Sequence, residues 1–229
     1  MNIKGFKVNF LGDSITEGIG VTDIANCRYD NRLAVMCQLS AVNNYGISGT
    51  RLAHQTHASP NPRKDLCFCG RAYNMDTTAD MVVVCGGAND YLHGDAPFGK
   101  IGDTTPATFC GGVYYLMNYL RKAYAGKTVI FMTPARHYYR DKIDDLMPSA
   151  HEGKLIGGKP LRAYVDVILQ TAKQFEIPVL NLYEDLGIDP HDPKMCMDYT
   201  VDGLHFNDAG HTVIAERLQT FLAALPQTN

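Results

Sequence analysis

An acid and a serine stand side by side directly after the first apolar run of the chain. Residues 8–11 are mostly apolar, and Gly12, Asp13 and Ser14 follow them. A serine at a turn from strand to helix presents its hydroxyl to solvent and lies near backbone N–H groups that stabilise negative charge. The same residues also fit a helix cap, because Ser14 at the N-cap with Glu17 three residues later forms a capping box. Taken alone, the segment favours the cap.

Two later segments could supply hydrogen-bond donors to a developing oxyanion. The stretch NYGISGT contains Gly46 and Gly49, whose backbone freedom permits a tight turn that aims an N–H group inward. The stretch GGAND follows a Val-rich run and contains Asn89, whose side-chain amide is a donor of the required kind. Each stretch is also ordinary turn composition, so neither is specific by itself.

An acid and a base lie close together near the C-terminus, in the segment DGLH. A serine nucleophile needs a base to take its proton, and the base needs a partner that holds its tautomer. Asp202 and His205, three residues apart, supply both groups from one loop. The alternative is a surface loop before a helix that is capped by Asn207 or Asp208.

Apolar runs of strand length alternate with segments of helical periodicity along the whole chain. The runs predict strands over 7–11, 41–44, 81–85, 127–132 and 178–182, and the periodicity predicts helices over 32–39, 108–124, 160–175 and 209–225. This alternation predicts an α/β fold in which a mostly parallel five-stranded sheet lies between two layers of helices. Such sheets carry their working groups at the carboxyl ends of the strands, which would bring the segments described above together.

Taken together, the four segments resemble the SGNH hydrolases, also called the GDSL-like lipase/esterase family. The matching stretches are GDSI, NYGISG, GGAND and DGLH, which occur in the family's order over residues 12–205. The resemblance implies a flavodoxin-like three-layer α/β/α sandwich and a serine esterase that needs no cofactor. Ile15 stands where leucine gives the family its older name, and the similar volume predicts no effect on chemistry. The G-x-S-x-G motif of ordinary α/β-hydrolases is absent around Ser14.

The resemblance also implies a role for each matching residue. Ser14 would be the nucleophile, His205 the general base and then acid, and Asp202 the carboxylate that orients His205. The oxyanion hole would consist of the N–H groups of Ser14 and Gly49 and the side-chain amide of Asn89. The partner would be a small-molecule ester.

Three other functions fit parts of the sequence. A flavodoxin-like order also suits a nucleotide or flavin binder, although Asp13 and Glu17 would repel a phosphate. A non-catalytic ligand-binding module on the same fold would carry the same residues without turnover. A metal site could draw on histidines and cysteines whose spacing is not a familiar zinc pattern, so we expect no metal. These residues are His54, His57, Cys67 and Cys69.

Composition limits the partners and the compartment. The length of 229 residues with 45% hydrophobic content predicts one domain over 1–229. The 21 basic and 24 acidic residues give a net charge of −3, which argues against nucleic acid as a partner. The sequence has no segment of membrane-spanning length and no signal-peptide pattern, so we expect no membrane association. Seven scattered cysteines, an odd number, favour a reducing cytoplasmic compartment. The sequence makes no prediction of oligomeric state.

Aromatic and basic residues beyond the third and fourth predicted strands bear on the substrate. They could stack on or hydrogen-bond a sugar, or they could simply cover the rim of the sheet. His93 and His137 also follow strand ends and could line the same pocket. Because no long apolar stretch suggests a lid for a lipid chain, we expect a short acyl ester, with an acetylated carbohydrate favoured. The rim residues are Tyr91, Arg136, Tyr138, Tyr139 and Arg140.

Overall fold

The apolar runs of the sequence form one parallel sheet. A computed structural model describes residues 1–138 and 159–226, and in them five strands lie in the order β2-β1-β3-β4-β5. This is the flavodoxin-like order of a doubly wound sheet, in which successive strands are added first on one side of β1 and then, from β3 onwards, on the other. The strands are β1 (Lys7–Gly12), β2 (Ala41–Gly46), β3 (Met81–Cys85), β4 (Thr128–Met132) and β5 (Val179–Leu180).

Helices cover both faces of the sheet. In the described part of the chain they are α1 (Ser14–Glu17), α2 (Ile24–Cys27), α3 (Tyr29–Cys37), α4 (Phe68–Arg71), α5 (Ala88–Leu92), α6 (Phe109–Ala123), α7 (Leu161–Gln174), α8 (Leu182–Asp185), α9 (Pro193–Tyr199) and α10 (Asp208–Ala224). Helices α6 and α7 pack together on one face, and α3 and α10 pack together on the other. The predicted three-layer α/β/α fold is therefore confirmed.

The central strand shows why the sequence reads as a nearly continuous run of valine. Val82 and Val84 contribute to the core beneath α6 and α7, whereas Met81, Val83 and Cys85 contribute to the core beneath α3 and α10. A parallel strand with helices on both faces has no solvated side, so both alternating sets of side chains are apolar.

The register brings the carboxyl ends of the strands to one edge of the sheet. Gly12 at the end of β1 pairs with Gly46 of β2 and with Cys85 of β3. Cys85 in turn pairs with Met132 at the end of β4. The loops that follow these four strands therefore begin at the same level, along the edge where doubly wound sheets place their sites.

The last predicted strand is shorter than its apolar run. β5 comprises Val179 and Leu180 only, because Asn181 precedes the helix α8 and Leu182 is already helical. The predicted helix over 32–39 begins earlier, at Tyr29, whose buried ring packs edge-on against Phe10 at 5.7 Å. Among the described helices, none is both long and apolar enough to cross a membrane. All seven cysteines are free thiols.

Candidate active site

Ser14 is the first residue of α1 and not its cap. Asp13 holds the N-cap position, and its carboxylate accepts the N–H of Ile15 at 3.1 Å. The carboxylate of Glu17 does not return to the cap but accepts the N–H of Ser48 at 2.6 Å. The predicted capping box is therefore wrong, because Asp13 takes the capping role one residue earlier and frees the hydroxyl of Ser14.

The hydroxyl of Ser14 meets the imidazole of His205. His205 Nε2 lies 3.0 Å from Ser14 Oγ, and His205 Nδ1 lies 2.6 Å from Asp202 Oδ2. The other carboxylate oxygen of Asp202 accepts the backbone N–H groups of Leu204 and His205, at 3.0 and 2.7 Å. The DGLH turn thus fixes acid and base relative to each other, and the structure brings Ser14 and Asp202 within hydrogen-bonding distance of His205.

The charge of Asp202 sets the tautomer of His205. Burial raises the pKa of Asp202, but hydrogen bonds from the side chain and backbone of His205 outweigh burial and hold the pKa below its usual value. An ionised carboxylate only accepts hydrogen bonds, so the facing Nδ1 carries a proton. Nε2 of a neutral imidazole is then free to accept the proton of Ser14.

The loop after β2 is tied to the loop after β1. Gly49 has a φ of +75°, in the region that glycine adopts without steric cost. Just before it, the N–H of Ser48 donates to Glu17, and the N–H of Ile47 donates to the carbonyl of Gly12 at 3.1 Å. The backbone around Gly49 is therefore anchored to α1 and to the end of β1.

Arg71 forms a second tie between the two loops. Its guanidinium donates to the carbonyl of Gly12 at 3.0 Å, to the carbonyl of Tyr45 and to Thr50 Oγ1 at 2.8 Å. Burial lowers the pKa of Arg71 to about 10, which still leaves the side chain charged at neutral pH. The sequence analysis did not identify Arg71, because its role depends on contacts across 21 or more positions of the chain.

The third predicted oxyanion donor lies against the loop that contains Gly49. Asn89 is buried in the short helix α5, and its Nδ2 donates to the carbonyl of Thr50 at 3.0 Å. On the other side of the amide, Asn89 Oδ1 lies 3.0 Å from His93 Nε2. The structure thus places Asn89 beside the residue that follows Gly49 in the chain.

Two buried carboxyls flank the candidate site. Burial raises the pKa of Asp13 to about 6, despite the N–H of Ile15 and the nearby charges of His205 and Arg71. Burial also raises the pKa of Asp90 to about 6, although its carboxylate accepts the N–H groups of Leu52 and Ala53 at 2.9 and 3.0 Å. Asp90 thereby fastens the continuation of the β2 loop to α5.

The residues predicted to contact a sugar have different positions. Tyr91 is fully buried and packs edge-on against Tyr164, with ring centroids 5.8 Å apart, so its predicted role at the rim is wrong. The reason is that α5 begins at Ala88 and turns Tyr91 towards the core. Arg136 pairs with Glu184 and lies over the ring of Tyr183. Tyr138 borders a cleft of about 620 Å³ that also contacts Asp202, whereas Tyr139 and Arg140 lie outside the described residues.

The remaining histidines and cysteines of interest do not converge. His137 is buried, with 2% of its surface exposed, whereas His93 is half-buried beside Asn89. Cys67 and Cys69 are buried, and His57 is exposed next to Asp95. Over residues 1–138 and 159–226, no three His, Cys, Asp or Glu side chains are grouped so that they could hold a metal ion.

Known proteins resemble this chain in sequence and in fold. Residues 10–213 match the GDSL-like lipase/acylhydrolase family. A crystal structure of a protein from Lactobacillus plantarum is similar at 28% identity and a TM-score of 0.82, over 98% of this chain and 100% of that one. A possible lipase from Chitinophaga pinensis is similar at 20% identity and a TM-score of 0.68, over 95% and 98% of the two chains.

An acetyl xylan esterase has the same fold, with 21% identity and a TM-score of 0.61, over 96% of this chain and 100% of that one. No curated protein matches the sequence. The family match extends over residues 10–213, which is most of the chain and includes all four motif segments. The protein therefore belongs to the GDSL-like lipase/acylhydrolase family, as the resemblance to SGNH hydrolases implied, and is a carboxylic ester hydrolase.

Proposed function

We propose that this esterase cleaves a short acyl ester through Ser14, His205 and Asp202. The observation that carries the proposal is the continuous hydrogen-bond chain from Asp202 Oδ2 through the imidazole of His205 to Ser14 Oγ, with separations of 2.6 and 3.0 Å. A nucleophile, a base and a group that orients the base are the minimum that serine catalysis requires.

Each residue has one task in the reaction. Ser14 Oγ attacks the carbonyl carbon of the ester while His205 Nε2 takes the hydroxyl proton. His205 then gives this proton to the departing alcohol, which leaves an acyl group on Ser14. Water, activated by the same imidazole, attacks the acyl-enzyme and releases the acid, whereas a second alcohol at this step would make the reaction a transfer. Asp202 stays ionised and stabilises the imidazolium that forms.

The oxyanion of each tetrahedral intermediate would be stabilised by the N–H groups of Ser14 and Gly49 and by the amide of Asn89. Loss of one such donor typically costs about 2.7–4 kcal/mol of transition-state stabilisation. The hydrogen bonds of Glu17 and Arg71 that fix the loops after β1 and β2 support this assignment. Donors that are already in position cost no reorganisation during the reaction.

An acetyl group on a carbohydrate is the substrate class that we propose. The sequence contains no long apolar segment that would form a lid over a lipid chain. The acetyl xylan esterase that has the same fold provides a class of ester to test first. A short acyl group also needs no extended apolar tunnel beside Ser14.

The test is a series of nitrophenyl esters of increasing acyl length, assayed beside acetylated xylo-oligosaccharides. We expect the highest kcat/KM with acetyl and no turnover in Ser14→Ala, whereas Ser40→Ala, at the opposite end of the sheet, is the matched control. A preference for long acyl chains would overturn the substrate class. Equal rates in wild type and Ser14→Ala would overturn the serine mechanism and would favour a non-catalytic module.

A further inference from the structure

We propose that His93 and Arg51 are positioning residues that fix which way the side-chain amide of Asn89 faces. The inference rests on the proposed function, in which this amide donates a hydrogen bond to the oxyanion. It concerns three hydrogen-bonded side chains, Arg51, His93 and Asn89, which link the loop after β2 to the helix α5.

Two hydrogen bonds of ordinary length join these three side chains. Arg51 Nη1 lies 3.1 Å from His93 Nδ1, and His93 Nε2 lies 3.0 Å from Asn89 Oδ1. Asn89 and His93 are four residues apart, so the helical turn of α5 places the two side chains next to each other. The contact with Arg51 spans 42 positions of the sequence and depends on the tertiary fold.

The guanidinium of Arg51 determines which atom is the donor and which is the acceptor in both hydrogen bonds. A guanidinium can only donate, so Nδ1 of His93 must be an unprotonated acceptor. The proton of the neutral imidazole then resides on Nε2, which donates to Asn89 and requires an acceptor there. The atom of Asn89 that faces His93 is therefore the carbonyl oxygen, and its NH₂ group faces the other way.

A second contact gives the same orientation independently. The carbonyl oxygen of Thr50 lies 3.0 Å from Asn89 Nδ2, and a carbonyl can only accept. Rotation of the amide by 180° would set two acceptors against each other at Thr50 and two donors against each other at His93. Because an amide nitrogen has two N–H groups, one N–H remains for the substrate after the bond to Thr50.

Arg51 is itself held in place. Its side chain is 4% exposed, and Nη2 donates to Asp65 Oδ1 and to Ser59 Oγ, each at 2.9 Å. The carboxylate of Asp65 also accepts the N–H and the hydroxyl of Ser59, so the anchor is a closed group of three side chains. A buried guanidinium with a fixed carboxylate partner keeps its direction.

The protonation state of His93 agrees with this arrangement. Burial lowers the pKa of His93 to about 4, and the charges of Arg51 and Lys64 contribute in the same direction. The imidazole of His93 is therefore neutral at pH 7. The single tautomer that Arg51 requires is then available throughout catalysis.

The test is a double-mutant cycle that joins Asn89 and His93. We expect Asn89→Ala to lower kcat by about 10²–10³-fold, as for the loss of one oxyanion donor. We expect His93→Phe, which removes both ring nitrogens, to lower kcat by about 10-fold or more with little change in KM. In the Asn89→Ala background, His93→Phe should cause no further loss. His93→Gln, whose amide can both accept from Arg51 and donate to Asn89, should restore most of kcat.

Three outcomes would overturn the inference. An equal loss from His93→Phe in both backgrounds would mean that His93 acts independently of Asn89. Wild-type kcat in His93→Phe would mean that the amide needs no positioning. Wild-type kcat in Asn89→Ala would refute the proposed role of the amide in the oxyanion hole and, with it, the inference.

A measurement on the wild-type protein keeps the inference testable if His93→Phe fails to fold. In a long-range ¹H–¹⁵N spectrum at pH 7, with the His93 signals assigned by their loss in His93→Gln, we expect a neutral ring with its proton on Nε2. A proton on Nδ1, or an imidazolium, would contradict the chain of donors from Arg51.

Discussion

His205 Nε2 lies 3.0 Å from Ser14 Oγ, although 191 positions of sequence separate the two residues. The contact joins the first strand end of the chain to the loop before the last helix. Close packing supports it, because a Cβ atom on Gly20 would lie only 2.5 Å from the carbonyl oxygen of Phe206. The fold therefore holds the proposed nucleophile and base in hydrogen-bonding contact.

The first prediction concerns the orienting acid. Asp202→Asn keeps an oxygen for the N–H groups of Leu204 and His205 but turns a donor towards His205 Nδ1. The imidazole then carries its proton on Nε2 and no longer accepts from Ser14. We expect kcat to fall by about 10⁴-fold while the protein stays folded. A fall of less than about tenfold, with an unchanged melting temperature, would rule out this role for Asp202.

A second prediction distinguishes the effect of backbone strain on stability from its effect on turnover at Gly49. Gly49→Ala introduces a side chain at a φ of +75° and sets its Cβ 2.9 Å from the methylene groups of Lys64. Gly126→Ala is the matched control, since Gly126 has a φ of +76° and open space around it, far from the candidate site. Both variants should lose about 1–2 kcal/mol of unfolding free energy in urea titrations.

Only the substitution at Gly49 should lower kcat, because the alanine keeps its N–H but the clash and the strain displace this proposed oxyanion donor. Ester assays on both variants, carried out where each is fully folded, give the comparison. An equal effect of the two substitutions on kcat would show that strain alone accounts for the loss.

The carboxylate of Glu17 provides a third prediction. It accepts the N–H of Ser48 at 2.6 Å and pairs with the more exposed Arg63. Glu17→Ala releases the turn before Gly49, and a lost hydrogen bond to a charged group should lower kcat/KM by about tenfold. Arg63→Met leaves the carboxylate in place and should change kcat/KM by no more than about twofold. If Glu17→Ala reacts at the wild-type rate, the loop does not depend on this tie.

A fourth prediction concerns stability at low pH. His211 is fully buried, its ring stacks on Tyr29 at 5.8 Å, and its Nδ1 accepts the N–H of Tyr29 at 3.2 Å. Burial lowers the pKa of His211 from 6.5 to about 4. His211 takes up its proton near pH 6.5 in the unfolded chain but only near pH 4 in the folded protein. Its contribution to the free energy of unfolding is therefore fully present above pH 6.5 and is lost as the pH falls towards 4, by up to about 3 kcal/mol.

His211→Asn removes the titrating ring but keeps an acceptor for the N–H of Tyr29. The unfolding free energy of this variant, from urea titrations between pH 7.5 and 4.5, should therefore decline less steeply than that of the wild type. The raised pKa values of Asp13 and Asp90 act in the opposite direction, but both carboxyls are present in both proteins and cancel in the comparison. Parallel curves would contradict the assignment to His211.

The sequence predicted the elements of this fold well where one physical signal dominated. The Val-rich run of β3 and the periodic helices α6, α7 and α10 lie within about two residues of their predicted bounds. β5 was harder to delimit, since it is an edge strand of two residues that runs directly into the turn at Asn181. Side-chain type alone could not show where the strand ends.

The sequence located the candidate residues of the site after the ends of the predicted strands, but it did not show the contacts between them. Asp13 and Ser14 are both good capping residues, so the sequence could not show that Asp13 takes the cap. The pairing of Asn89 with His93 has a local signal, because the two residues are four positions apart on a helix, but the stretch GGAND over 86–90 has ordinary loop composition. The contact of Arg51 with His93 has no local signal, because it forms only when the β2 loop packs over α5.

The most direct test of the account is the identification of the residue that an active-site label modifies. The Oγ of an activated serine attacks the phosphorus of a fluorophosphonate and displaces fluoride, which leaves a phosphonate ester that peptide mapping then locates. We predict a single adduct on the peptide that contains Ser14, its absence in Ser14→Ala, and labelling slowed by about 100-fold or more in His205→Ala. An adduct on another serine, or labelling of Ser14→Ala at the wild-type rate, would contradict the assignment of Ser14 as the nucleophile.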